Sequence, residues 1–157
     1  MATIKGWIKA ISISKRKGTQ KVNVPTAKLQ ADFGIVGDAH AGNWHRQVSL
    51  LSFESIDEMA AKGAEVSPGD FAENITTEGI DLRALKPGDK LRLGDDVELE
   101  ITQSGKRCHQ RCKIFERLGD CIMPTEGTFT KVTKGGIINA GDAIEVIYDK
   151  NGRIDNQ

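Results

Sequence analysis

Cys108 and Cys112 lie in a stretch, 105–113, whose charged side chains are all basic: Lys106, Arg107, Arg111 and Lys113. The whole chain balances 22 Lys and Arg against 22 Asp and Glu, so this excess is local. A thiolate is both a nucleophile and a soft metal ligand, and neighbouring cations lower a thiol's pKa toward that form. Arginine beside the sulfur also suits an anion, because the planar guanidinium grips phosphate through two parallel hydrogen bonds. The spacing therefore supports reactive sulfur next to a phosphate-bearing partner. Cys121 extends the pattern to Cys-x3-Cys-x8-Cys, with His109 beside the first cysteine. A structural zinc site stays open on these residues if Cys121 and His109, or His40 or His45, complete the ligands. So does plain packing of a small apolar thiol, which suits Cys121 next to Ile122 and Met123.

Two further groupings carry chemistry. The stretch 34–42, Gly-Ile-Val-Gly-Asp-Ala-His-Ala-Gly, leads into His45-Arg46-Gln47. Its glycines let backbone amides approach a ligand, Asp38 and His40 can form a hydrogen-bonded pair, and Arg46 can hold an anion. It lacks the Gly-Lys-Ser/Thr ending of a phosphate-binding P-loop and the spacing of a dinucleotide fingerprint. A glycine-rich hairpin with a solvent-facing histidine is the plainer alternative. The third grouping, 68–76, holds Glu73-Asn74 between a Pro-Gly-Asp turn and a β-type run. Asn74 offers donor and acceptor together to a polar heterocycle, or it ties down its own turn.

The elements that position these residues are short. Gly-Asp pairs recur at 37–38, 69–70, 88–89, 94–95, 119–120 and 141–142, two of them after Pro68 and Pro87. Turns this dense between alternating runs predict a sandwich or barrel. Strands are expected at 4–14, 21–24, 27–33, 47–52, 90–93, 97–103, 128–133 and 143–148. In the sixth of these, Val97, Leu99 and Ile101 alternate with Glu98, Glu100 and Thr102, the pattern of one buried and one wet face. One main helix is expected at 53–62, capped by Ser52, with Ile56, Met59 and Ala60 on one face and Gly63 after its end. Shorter helices are expected at 81–85 and 113–118. The 157 residues fit one domain, 1–149, followed by a polar tail, 150–157.

Composition excludes several classes. No apolar run approaches the ~20 residues of a membrane span, and the first residues lack the apolar core of a secretory signal. Zero net charge and a pI of about 6.8 give no support to nucleic-acid or membrane-surface binding. An odd number of cysteines, three, argues for reduced thiols and a cytoplasmic setting.

Taken in order, the three groupings resemble the MOSC family, named for the C-terminal domain of molybdenum cofactor sulfurases. The matching stretches are 34–51, 69–79, the cysteine segment through Met123-Pro124-Thr125-Glu126-Gly127, and Lys134-Gly135-Gly136 with Gly141-Asp142. They span nearly the whole chain and are similar to compact bacterial proteins consisting of little else. The resemblance implies a mainly β fold, a closed or nearly closed barrel of the MOSC and pyruvate-kinase β-barrel kind, with a few short peripheral helices. It implies binding of the molybdenum cofactor (molybdopterin) and a cysteine that carries sulfur as a persulfide or ligates molybdenum. Arg111-Cys112-Lys113-Ile114 matches the family's cysteine environment, which gives Cys112 that role and makes it the metal ligand, with Cys108 as the alternative. The family pattern has one cysteine where this chain has three. Lys106, Arg107, Arg111 and Arg46 suit the cofactor's phosphate, and Asp38, His40 and Asn74 complete the expected cofactor-binding set.

Two activities follow from the resemblance: sulfur carriage in cofactor maturation, or molybdenum-dependent reduction of N-hydroxylated compounds. The chain has no pyridoxal-phosphate site, so a persulfide would come from a partner cysteine desulfurase, and a molybdoenzyme is the other candidate partner. A non-catalytic pterin or cofactor carrier and a zinc-stabilised interaction module are the competing functions.

Overall fold

The structure, a computed structural model, describes residues 5–17, 19, 21–63, 65–104 and 127–147. Along the chain these form β1 (Lys5–Ile13), β2 (Val22–Val24), β3 (Thr26–Gln30), β4 (Gly34–Ile35), β5 (Val48–Ser52) and α1 (Phe53–Ala61). Then come β6 (Ile75–Glu78), a 3-10 turn at Leu82–Ala84, β7 (Lys90–Leu93), β8 (Val97–Ser104), β9 (Thr128–Lys134), β10 (Gly136–Asn139) and β11 (Ala143–Val146).

Seven strands close a mixed barrel in the order β1-β11-β7-β8-β9-β5-β6 and back to β1. β2 continues off the far end of β1, pairing Ile11 with Val24 and Ile13 with Val22. β10, β3 and β4 make a separate small sheet. Among the described strands of the barrel only β5 and β6 run parallel. A parallel pair cannot be joined by a tight hairpin and needs a crossover, which here is α1 and the loop after it. Ser52 starts that helix as its N-cap, its hydroxyl accepting from the Ser55 amide at 3.1 Å. Gly63, at φ 100°, follows its end and donates to the Ala60 carbonyl.

Alternation fills the barrel. Val97, Leu99 and Ile101 of β8 are fully buried, and so are Leu91 and Leu93 of β7. With Ile8, Ile11, Leu50, Ile75 and Ile144 they form one continuous core. Truncating one such Leu or Ile to Ala costs about 2–5 kcal/mol. A second cluster of Leu51, Ile56, Phe71 and Phe129 seats α1 on the outside of the barrel.

Several expected bounds shift. The strand predicted over 27–33 ends at Gln30, because Asp32 takes φ 55° in a turn that hands the chain to β4. β4 and β10 were not expected, and β6 was noted only as a β-type run after Asn74; its Ile-Thr-Thr-Glu is buried through the first three residues between β1 and β5, so it shows no alternation. On α1 Ile56 is buried, whereas Ala60 is exposed. The short helix expected at 81–85 is the 3-10 turn, capped by Asp81 through the Arg83 amide. The helix expected at 113–118, Tyr148 and the tail 150–157 lie outside the described residues.

Candidate functional site

The loops leaving β1 and entering β5 and β6 build one polar site. Lys21, just before β2, and Asp38, after β4, face each other with side chains wholly shielded from solvent. The Lys21 ammonium donates to Asp38 Oδ1 at 2.7 Å, to Ser14 Oγ at 3.2 Å and to His40 Nδ1 at 3.1 Å. Asp38 also accepts the Ser14 amide at 3.0 Å and the His40 amide at 3.1 Å. Burial pushes the Lys21 amine down from its ordinary value, against the opposing pull of Asp38. Burial pushes the Asp38 carboxyl up, but the hydrogen bond and charge of Lys21, with the Ser14 amide, outweigh it and hold Asp38 below its ordinary value. Asp38 and His40 are thus bonded through the histidine's main-chain amide. The imidazole Nδ1 stands 3.9 Å from Asp38 and turns to Lys21. Sequence reasoning missed Lys21: a lone lysine opening a short strand reads as solvated, and its partner comes from a loop far along the chain.

His40 forms part of the wall of a cleft of about 320 Å³. Cations and aromatic rings dominate it. The Arg46 guanidinium lies 4.7 Å from the Trp44 ring centre and 5.6 Å from that of Phe129. The Lys17 ammonium lies 5.2 Å from the same indole. Trp44 is held by its indole N–H, which donates to the His40 carbonyl at 2.8 Å. Arg46 Nε is buried and has no hydrogen-bond partner among the described residues. A buried donor left unmet costs about 1–3 kcal/mol.

The third grouping supplies Phe71, Ala72 and Asn74 to the lining of the same cleft. Glu73, fully buried, accepts from the Gly69 amide at 2.8 Å, the Phe71 amide at 3.3 Å and the Thr76 hydroxyl at 2.7 Å. Burial pushes its carboxyl up, with those donors opposing. Gly69 is required there: its φ is +96°, and a Cβ would sit 2.8 Å from Ser12 Oγ. Asn74 also lines the cleft, but its amide is committed inward. Its Oδ1 accepts from the Ser49 amide at 3.0 Å and its Nδ2 donates to the Ser12 carbonyl at 3.2 Å, pinning the loop to β5 and β1.

Cys108, Cys112, Cys121, Lys106, Arg107, His109 and Arg111 lie outside the described residues. Ser104 is the cross-strand partner of Thr128, and Phe129 lines the cleft. Gln103 pairs with the His45 ring at 2.9 Å, and the Thr102 hydroxyl donates to the His45 carbonyl. Among the described residues no group of three or more His, Cys, Asp or Glu is arranged to hold a metal ion. No described helix is long and apolar enough to cross a membrane.

Among solved structures the chain is similar to the YuaD protein from Bacillus subtilis, with a TM-score of 0.76 and 21% identity over 92% of this chain and 97% of that one. It is similar also to YiiM from Geobacillus stearothermophilus, with a TM-score of 0.68 and 17% identity over 96% and 79%. YiiM from Escherichia coli gives a TM-score of 0.63 and 18% identity over 95% and 71%. At such identities the likeness establishes the barrel and leaves the chemistry to the residues. No curated protein matches the chain. The MOSC domain family model matches residues 37–145, a span that takes in Asp38, His40, Arg46, Asn74 and every cysteine. The chain belongs to the MOSC domain family.

Proposed function

We propose that this protein binds the molybdenum cofactor in the cleft beside His40 and Arg46, and that a cysteine of the 105–126 segment handles sulfur or ligates the metal. The observation that carries the reading is the Arg46 guanidinium set against the Trp44 and Phe129 rings in the cleft wall, with the Lys17 ammonium beside the same indole. A molybdopterin presents a phosphate, a flat heterocycle and a dithiolene-bound metal. Arg46 and Lys17 are suited to the phosphate, Trp44, Phe71 and Phe129 to the flat ring, and a thiolate to molybdenum as a soft ligand. When bound, the cofactor supplies a redox-active molybdenum centre. Cys112 is the proposed sulfur, with Cys108 as the alternative, and Lys106, Arg107 and Arg111 are proposed to lower its pKa and add to the anion field. Asp38, His40 and Asn74 serve chiefly by shaping the wall, since their described bonds run to the protein.

In the maturation reading the Cys112 thiolate attacks the outer sulfur of a persulfide on a partner cysteine desulfurase. The partner's sulfur–sulfur bond breaks, its thiolate leaves, and the sulfane sulfur ends on Cys112. A cytoplasmic setting follows from the need for a free thiol.

Arg46→Gln tests the binding half. It removes the charge while keeping a polar side chain of similar length, and a charge-assisted hydrogen bond of about 1.5–3 kcal/mol corresponds to roughly 10–100-fold in affinity. Molybdopterin released from a molybdoenzyme and offered to both proteins should be retained by the wild type and weakened by about that factor in the variant, read by pterin fluorescence and metal analysis. Equal retention would contradict the reading.

A further inference from the structure

Lys21 is a buried titratable group with no part in the function proposed above. Its three ammonium protons have three acceptors within reach: Asp38 Oδ1, Ser14 Oγ and His40 Nδ1. An ammonium has no lone pair, so toward His40 it can only donate. Asp38, 2.7 Å away and equally shielded, favours the charged form of the lysine. Nδ1 must therefore carry a lone pair, and the single proton of the neutral ring sits on Nε2. A second proton on Nδ1 would bring an N–H against the ammonium at 3.1 Å, with both donors contesting the same space. The His40 main chain is fixed at the same time, its amide bound to Asp38 Oδ2 and its carbonyl to the Trp44 indole.

We infer that Lys21 is a positioning residue that locks His40 in the Nε2–H tautomer and so withholds its Nδ1 from service as a base or a metal ligand. The buried pair thus does more than close the loop. It fixes which of the two ring nitrogens keeps the lone pair, in a histidine that helps to line the cleft. The inference concerns a wall residue of the proposed cofactor cleft and is independent of molybdenum.

Nitrogen-15 NMR of the histidine rings tests it directly on the protein without cofactor. At pH 7.5 the wild type should show His40 with a strongly downfield, unprotonated Nδ1 and an upfield, protonated Nε2. Lys21→Met should move the two resonances toward each other as the tautomers mix. If that variant does not fold, Lys21→Met/Asp38→Asn, which leaves the buried site without net charge, takes its place with the same expected result. A wild-type His40 protonated on Nδ1, doubly protonated or already averaged would overturn the inference, and so would a variant that keeps the wild-type pattern. Cofactor retention is measured separately, so failure of either result leaves the other standing.

Discussion

The Lys21–Asp38 pair should be strongly coupled in a double-mutant cycle, with unequal single-mutant costs. Lys21→Met strands the Asp38 carboxylate, yet two amides, of Ser14 and His40, still donate to it at 3.0 and 3.1 Å. Asp38→Asn strands an ammonium whose remaining acceptors, Ser14 Oγ, His40 Nδ1 and the new amide oxygen, are all neutral. Breaking a buried pair by removing one partner costs about 3–5 kcal/mol, because the other charge is left uncompensated in a poor solvent. The lysine variant should fall near the lower end, about 3 kcal/mol, and the aspartate variant near the upper end, about 5 kcal/mol. The double variant Lys21→Met/Asp38→Asn leaves no buried charge and keeps an Asn oxygen for the Ser14 amide. It should lose only about 1–2 kcal/mol, so the singles overshoot the double by several kcal/mol, far beyond the roughly 0.3–0.5 kcal/mol scatter of independent sites. Urea unfolding at pH 7.5, followed by tryptophan fluorescence and extrapolated to water, measures all four corners. Additive losses, or a double variant no better than Asp38→Asn, would refute the picture of a mutually dependent buried pair.

Thr77→Val should stabilise the protein by about 1 kcal/mol, visible as a Tm higher by roughly 2–4 °C, because the Thr77 hydroxyl is buried without a partner among the described residues and the swap keeps its shape. Acid should weaken the fold through Asp38. Its folded pKa lies below the ordinary 3.8, so its contribution is full above 3.8 and fades as pH falls through the folded value. Glu73 runs the other way: its pKa is raised above 4.5, so its contribution is present below 4.5 and lost as pH rises through the folded value. Chemical denaturation from pH 7 to pH 2 should show a steeper loss below 3.8 in the wild type than in Asp38→Asn, and parallel curves would contradict the assignment.

Much of the barrel is legible in the residues. β7 matches its expected bounds and β8 comes within one residue, because in β8 a period of two meets a one-sided core and both strands begin just after Gly-Asp pairs, at 88–89 and 94–95. Ser52 and Gly63 bracket α1 as expected, since caps are local chemistry. β6 shows only as a β-type run without bounds because a strand with both faces covered does not alternate, and β10 is hidden because it opens on Gly136. At the site, the sequence marks Asp38, His40, Arg46 and Asn74 as worth attention, and three of these, His40, Arg46 and Asn74, line one cleft while Asp38 lies behind His40. It does not reveal what each side chain touches. The bond of His40 to a buried lysine and the inward commitment of Asn74 depend on β1, β5 and two loops meeting in space. The pairing of Trp44 with Arg46 and Lys17 could have been suspected from an aromatic residue two positions before an arginine, but only the fold brings Lys17 and Phe129 to it.

The most direct test of the molybdenum-cofactor reading is the metal and pterin content of the protein purified from molybdate-fed cells that make the cofactor, for wild type, Cys112→Ser and Cys108→Ser. The account predicts molybdenum and pterin co-purifying with the wild type. It further predicts molybdenum lost from Cys112→Ser with the fold intact, and a partial loss from Cys108→Ser. Loss from Cys108→Ser alone would move the role by one cysteine and leave the cofactor in place. A wild type carrying stoichiometric zinc, or neither molybdenum nor pterin, would contradict the account.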